Sequence, residues 1–367
     1  MIIDSRYLYF RGRVALAELL IACGAKKGDF IAIQAYTCSA VPEAVFATQA
    51  KPLYIDVTIN GVTMSTLDLE RKLKKNTNVK IIIIQHTFGI VADIKKLSEI
   101  AKKYNLMIIE DCCHSINSSF EDIEIGNYSD ASFYSFEWGK PIPLGLGGAI
   151  KINNPSLLPK INNQYKEFNS PTLRSELQLI VQIFVFTFLY NPKTYWTIKK
   201  LYHLMSRIGA IKGNHSSVNL SQKTDEFNWK ISRIIQGRLK RKMSHLKNNI
   251  VNNKKVVKNY EDNLICCNGA TALDVLPASK TVYVRYPVWV SDKKNFMQYS
   301  LNNNIEVSDW YNSPIHPHKG INLKKLGYES GSCPNAELSC NHIISLPISL
   351  ALNKRSVKKL SKFFEND

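Results

Sequence analysis

A short apolar run delivers Asp111. Ser135 follows about one strand–helix step later, then Lys140, then a glycine-rich segment, Gly145–Gly148. These residue types in this order could serve one kind of chemistry. A lysine amine can form a Schiff base with an aldehyde. A carboxylate can pair with a pyridinium nitrogen and keep it protonated, so that the ring acts as an electron sink. Hydroxyl and backbone N–H donors can hold a phosphate. Pyridoxal phosphate (PLP) chemistry needs all three.

The elements that must position these groups alternate along the first 150 residues. Val14–Cys23 reads as an apolar helix closed by Gly24, Phe30–Gln34 as a strand and Pro42–Thr48 as a helix. Pro52–Asp56 reads as a strand, Leu67–Leu73 as a helix, Val79–Ile84 as a strand and Ile94–Tyr104 as an amphipathic helix. Leu106–Ile109 reads as a strand ending in Glu110 and Asp111. Continuous apolar strands separated by amphipathic helices predict a parallel sheet with helices on both faces. Such sheets bind ligands at the carboxyl ends of their strands, where Gln85, His86, Glu110 and Asp111 fall. Further on, Val282–Val290, Ile305–Val307 and His342–Leu346 read as strands, Lys293–Asn303 and Ser356–Phe364 as helices. The expected organisation is a large domain over 1–227 and a long helix with a smaller α+β domain over 228–367.

The ordered motifs resemble the DegT/StrS-type sugar aminotransferases, enzymes of the type I PLP fold. The resemblance rests on Ile109-Glu110-Asp111-Cys112-Cys113-His114, Ser129-Asp130-Ala131, Tyr134-Ser135-Phe136 with Lys140, and Gly145-Leu146-Gly147-Gly148. Upstream it includes Gly28-Asp29-Phe30-Ile31 with Ala35-Tyr36-Thr37, Ala50-Lys51-Pro52, and His86-Thr87-Phe88-Gly89 with Ala92-Asp93. Downstream it includes Asn228-Trp229-Lys230-Ile231-Ser232, Trp310-Tyr311 with His316, and Ser345-Leu346-Pro347. The match runs in order over nearly the whole chain except about 160–220.

The resemblance implies an α/β fold with a large, mostly parallel sheet and a smaller C-terminal domain. It implies a PLP-dependent transaminase in which Lys140 forms the Schiff base and moves the proton. Asp111 would pair with the pyridinium nitrogen, His114 would lie near the ring hydroxyl, and Ser135 with the backbone at Gly12 and Arg13 would hold the phosphate. Thr37 and Cys38 would line the cofactor cleft. Asn228 would reach the cofactor phosphate of a neighbouring subunit, which makes the expected unit a homodimer. His86, Tyr311 and His316 are candidates for contact with substrate. The expected substrates are a keto-sugar, most simply a nucleotide-activated one for surface polysaccharide, and L-glutamate as amino donor. The chain departs from the family pattern at Arg13, Cys38, Glu137 and Leu146, which marks a divergent branch. Lys140 separates it from the sister dehydratases, which carry histidine there.

Composition bounds these expectations. Lys and Arg number 48 against 30 Asp and Glu, a net charge of +18. A chain this basic favours anionic partners. Nucleic acid is not expected among them, since neither a helix-turn-helix module nor zinc-finger spacing is present. A non-catalytic PLP-binding or nucleic-acid-binding regulator is the alternative of another class. The eight cysteines include no CxxC pair, and the first residues lack a secretion signal, so a reduced cytoplasmic protein without a metal site is expected. The family is shorter between the lysine and Asn228. Here Leu177–Tyr190 is apolar almost all round, and a basic amphipathic segment with Tyr195, Trp196 and Tyr202 follows. Two readings stay open: a helical hairpin packed on protein, or peripheral membrane contact through 177–212 at the inner face, with a lipid-linked sugar as substrate.

Overall fold

The computed structural model describes residues 3–189, 194–207, 211, 225–243, 246–265, 270–348, 352 and 354–365. The strands are β1 (Leu8–Tyr9), β2 (Phe30–Gln34), β3 (Thr37–Cys38), β4 (Lys51–Ile55), β5 (Val79–Gln85) and β6 (Met107–Asp111), followed by Ala131–Ser135 and Gly148–Ile152. Seven of these form one sheet in the order β1, Gly148–Ile152, Ala131–Ser135, β6, β5, β2, β4. From Ala131–Ser135 to β4 the pairing is parallel, and the two strands at the other edge run antiparallel.

Both faces of this sheet are buried, and the sequence alternation says which side chain goes where. In β5, Ile81 and Ile83 belong to one apolar cluster, Ile82 and Ile84 to the other. A strand turns successive side chains to opposite faces. Each fully buried isoleucine contributes about 1.5–3 kcal/mol. The same parity in β6 sends Ile109 and Asp111 to the first face, Ile108 and Glu110 to the second.

Helix α1 (Gly12–Ala22) covers the first face. Its run of Val14, Leu16, Leu19 and Leu20 is fully buried, and the chain leaves it through Gly24 at φ 89°. The Ala25 N–H bonds back to the Leu20 carbonyl at 2.9 Å, so the left-handed glycine closes the helix as its position predicts. Helices α2 (Ala40–Ala47), α3 (Thr66–Leu73), α4 (Ile94–Lys103) and α5 (Leu158–Lys166) complete the layers. The expected strand and helix limits shift here by one to three residues, as fraying ends do.

A second sheet joins Ala270–Ala272, Arg285–Val290 and Ile343–Pro347 in antiparallel register. Its own core gathers Tyr260, Phe296 and Leu360. Residues 229–260, expected as one helical stretch, give α8 (Arg233–Met243) and α9 (Leu246–Tyr260). Ile305–Val307, expected as a strand, is not one. Only Ser308 makes a bridge, to Ser345, and the apolar side chains at 305 and 307 are buried without a ladder. Arg285 holds this region: its guanidinium donates to Ser345 Oγ at 3.1 Å, the Ser345 carbonyl at 3.0 Å and Glu306 Oε1 at 3.1 Å. Arg285→Ala strands a Glu306 carboxylate that is 3% exposed. We expect a loss of about 3 kcal/mol, read by chemical denaturation.

The extra segment forms α6 (Leu173–Phe188) and α7 (Tyr195–Arg207). Two of the aromatic residues expected at a lipid interface are instead tied to protein. Tyr195 is buried and donates to the Val307 carbonyl at 3.1 Å, and Trp196 Nε1 donates to the Ile305 carbonyl at 3.2 Å. Tyr190 lies outside the described residues. Among the described residues no helix is long and apolar enough to cross a membrane.

Candidate active site

The site grows from strand register. Gln85 pairs across to Asp111, and Asp111 to Phe133. All three therefore lie side by side on the face that α1 covers, with Ser135 two residues further along its strand. Ser135 meets the start of α1 so closely that a Cβ on Gly12 would lie 2.9 Å from Ser135 Cβ. The first turn of α1, with its N–H groups, is thus set against a serine hydroxyl. Gly12→Ala cannot enter without moving the helix from the strand. We expect about 1–3 kcal/mol of lost stability by thermal melting and a matching loss of affinity for a phosphate-bearing ligand.

Lys140 comes from the loop between Ala131–Ser135 and Gly148–Ile152. That loop closes on itself, Phe136 N–H to the Gly147 carbonyl at 2.9 Å and Lys140 N–H to the Glu137 carbonyl at 3.2 Å. Gly139, at φ 80°, adopts a conformation that side chains resist, and the Trp310 ring would sit 2.8 Å from its Cβ. Lys140 Nζ lies 2.8 Å from His114 Nε2 and 5.7 Å from the centre of the Trp310 ring. The Phe88 N–H donates to His114 Nδ1 at 3.1 Å, so a neutral ring carries its proton on Nε2, facing Lys140. Burial, with Lys140 beside it, holds His114 well below the usual histidine range and keeps it neutral. The Trp310 ring lies parallel to His114, with centroids 5.8 Å apart.

Asp111 is buried. Its Oδ1 accepts the Cys113 N–H at 2.9 Å. Burial pushes its carboxyl above the ordinary range, against the opposing pull of the Lys140 charge. Burial likewise raises the Cys38 thiol, which disfavours its thiolate form, against the opposing pull of the Lys140 charge.

One cleft, with about 540 Å³ of empty space, is lined by Lys140, Asp111, His114, Ser135, Gly12, Arg13, Thr37, Cys38, His86 and Tyr311. Several of these have commitments to protein. Thr37 donates to Gln85 Oε1 at 2.5 Å. His86 is fully buried at the floor. Its Nδ1 accepts the Ala92 N–H at 3.1 Å, and its Nε2 faces Glu110 Oε1 at 3.4 Å. Both nitrogens thus point at protein groups. The Arg13 guanidinium is paired with Glu43, so it is directed at a carboxylate at the cleft wall. His316 stands outside the lining, its Nδ1 3.0 Å from Asn312 Oδ1. Asn228 is exposed and also outside the cleft of its own chain.

Gln85, placed by sequence at a strand end, lines the cleft; sequence reasoning missed Glu137 as a lining residue and Arg11 as its neighbour. Arg11 bridges Glu137 at 3.2 Å and Glu226 at 2.6 Å. Nothing local signals this triad, because it joins three distant parts of the chain. Gln85 was detectable: it is the polar end of an apolar strand.

The donor set suits one kind of ligand. A phosphate fits the Gly12–Ser135 cradle, which a single added carbon would fill. A protonated ring nitrogen fits the buried Asp111 carboxylate. An amine, Lys140, faces the same space. PLP carries the phosphate and the ring nitrogen, and its aldehyde is the partner such an amine would take.

The profile of the DegT/DnrJ/EryC1/StrS aminotransferase family matches residues 11–184 and 193–364. GDP-perosamine synthase of Escherichia coli O157:H7 is 34% identical over 146 residues, 40% of this chain and 40% of that enzyme. The chain thus aligns with two fifths of the length of that relative. The dTDP-3-amino-3,6-dideoxy-alpha-D-galactopyranose transaminase of Aneurinibacillus thermoaerophilus is 26% identical over 351 residues, 95% of this chain and 82% of that one. Among solved structures, an aminotransferase of the same family from Brucella abortus superposes with a TM-score of 0.73 at 18% identity, over 99% of this chain and 86% of that chain. The PLP form of a Streptococcus pneumoniae protein described as a sugar aminotransferase gives 0.74 at 15% identity, over 98% and 86%. At these identities the structural likeness speaks for the fold.

Proposed function

The chain belongs to the DegT/DnrJ/EryC1/StrS aminotransferase family, and on that premise we propose that it is a PLP-dependent aminotransferase acting on a keto-sugar, most simply a nucleotide-activated one, with L-glutamate as amino donor. The observation that carries this reading is the convergence of Lys140, Asp111 and the Gly12–Ser135 cradle on one cleft. The named relatives, a GDP-perosamine synthase and a dTDP-amino-sugar transaminase, support the nucleotide-sugar class.

Bound PLP supplies the electron sink that lets a carbon bearing nitrogen lose its proton. The chain's own groups do the rest. The first turn of α1 and Ser135 hold the phosphate and fix the ring's position. Asp111 holds a positive charge on the ring nitrogen, in surroundings where burial makes an unpaired carboxylate costly. His114 orients the Lys140 amine through a ring whose tautomer the Phe88 amide sets. Lys140, whose amine faces the same cleft, takes the proton from the donor carbon and returns it to the acceptor carbon. Tyr311 lines the cleft and the Trp310 ring lies against His114 and the Lys140 loop, so the two rings limit water near the amine. Asn228, exposed and outside the lining of its own cleft, serves the cofactor phosphate of a second copy, which makes the active unit a homodimer.

The test is a single-turnover measurement on the PLP-loaded protein. L-Glutamate without acceptor should release one equivalent of 2-oxoglutarate per site and bleach the visible band. A keto-sugar nucleotide should then be aminated in the same amount. Release of 2-oxoglutarate with no keto-sugar accepted would remove the substrate class. No release from any amino acid would remove transamination.

A further inference from the structure

We propose that α6 is a docking helix for an anionic lipid bilayer. The helix buries one side, with Ser175, Leu179 and Ile183 turned to the core. Its other side exposes Leu173, Leu177, Ile180, Val181, Phe184 and Phe188. These positions recur at helical spacing and form one apolar stripe along the whole helix. Phe184 is 59% exposed and Phe188 68%. Monomeric soluble proteins rarely leave a continuous apolar face of this kind uncovered.

Charge decides between occupants. Residues 191–260 carry sixteen Lys or Arg against two Asp or Glu. The adjoining α8 is bound to α6, since Glu176 accepts Ser232 Oγ at 2.6 Å and the Arg233 N–H at 3.3 Å. Its Arg233, Lys240 and Arg241 are exposed. A second copy on the stripe would bring this cationic surface towards its own duplicate, which repels. An anionic bilayer attracts the rim and takes up the apolar stripe together. At 16 residues α6 is about 24 Å long and lies in the interface without crossing it. The docking surface is centred on α6, since Tyr195 and Trp196 of α7 are spent on the Val307 and Ile305 carbonyls.

The inference is independent of the amination reading, because binding needs neither cofactor nor turnover. It bears on substrate delivery. Phe186, on the flank of α6, stacks on Trp138 with centroids 4.0 Å apart and planes at 9°. Trp138 is two residues before Lys140, so a docked α6 holds the Lys140 loop near the bilayer, where sugars on lipid carriers are found.

The experiment is cosedimentation of the full-length PLP-loaded protein with vesicles of phosphatidylglycerol and phosphatidylcholine. Wild type should bind at least roughly tenfold more strongly than to phosphatidylcholine alone. Replacing Leu177, Phe184 and Phe188 together by Gln should weaken binding roughly a hundredfold, with oligomeric state and the PLP spectrum unchanged. Hydrogen exchange on the wild-type chain needs no variant and should show new protection over 173–189 when vesicles are added. Absence of binding, binding that the triple variant retains, or protection elsewhere overturns the proposal. A triple variant that loses oligomerisation makes a second copy the occupant, and overturns it equally.

Discussion

Lys140→Ala should lose turnover by on the order of a thousandfold or more, together with the visible absorption that bound PLP draws from a lysine. Lys140→Arg should lose as much. The guanidinium keeps the positive charge near His114 and Trp310 but can neither attack a carbonyl nor exchange a proton near neutral pH. The pair of variants therefore separates a reacting amine from a mere counter-charge. Neither should unfold the protein. Lys140 is half-buried on a loop whose closing bonds are backbone bonds, and its side chain gives up a single contact with His114 and one cation–ring contact. The loss should stay near about 1 kcal/mol in a denaturant titration. A Lys140→Arg protein that keeps even a tenth of the wild-type rate would put the reacting amine elsewhere.

Asp111→Asn should lower turnover by about a hundredfold or more and weaken PLP binding, because the amide keeps the shape but gives up the charge on the ring nitrogen. The same change should stabilise the cofactor-free protein at neutral pH, by on the order of 1 kcal/mol. The sign follows from burial. Asp111 has its carboxyl raised in the folded chain, so the folded state binds a proton more tightly than the unfolded one. The contribution of this group to stability then falls as pH rises from the ordinary carboxylate range through the raised value. Above that window the carboxylate is a cost, partly offset by Lys140, until a cationic partner arrives. Melting curves with and without PLP from pH 4 to 8 read both halves of the prediction. Equal cofactor-free stability of wild type and variant across that range would show that Asp111 is already satisfied by protein.

The sheet was legible because its evidence is local. Four isoleucines in β5 and the alternation in β6 say which side chain faces which layer, and strand ends locate Asp111. Lys140 was legible through its spacing from Ser135. What escaped is what tertiary placement alone creates. Ile305–Val307 looks like a strand, because apolar triplets do, but a strand needs a partner ladder and this segment bridges only at Ser308. Arg13 is expected to offer its backbone to a phosphate; its guanidinium goes elsewhere, to Glu43 on α2, which no local pattern signals. His316 reads as a cleft residue from a motif, yet Asn312 holds it aside. Tyr195 and Trp196 carry the composition of an interfacial belt, and only their hydrogen-bond partners reveal that they face protein.

The short parallel pairing of β3 with Ile315–His316 has a consequence for synthesis on the ribosome. Thr37 N–H bonds to the Pro314 carbonyl at 3.0 Å, and Ser39 N–H to the His316 carbonyl at 2.9 Å. The large sheet is complete in sequence by Ile152 and can assemble while the rest of the chain is still being made. The cleft cannot, since the stretch behind Thr37 and Cys38 and the ring of Tyr311 arrive roughly 160 residues after Ile152. Completion of the cleft therefore follows completion of the sheet. A nascent chain stalled before Trp310 would hold the completed large sheet and still lack the Tyr311 wall of the cleft.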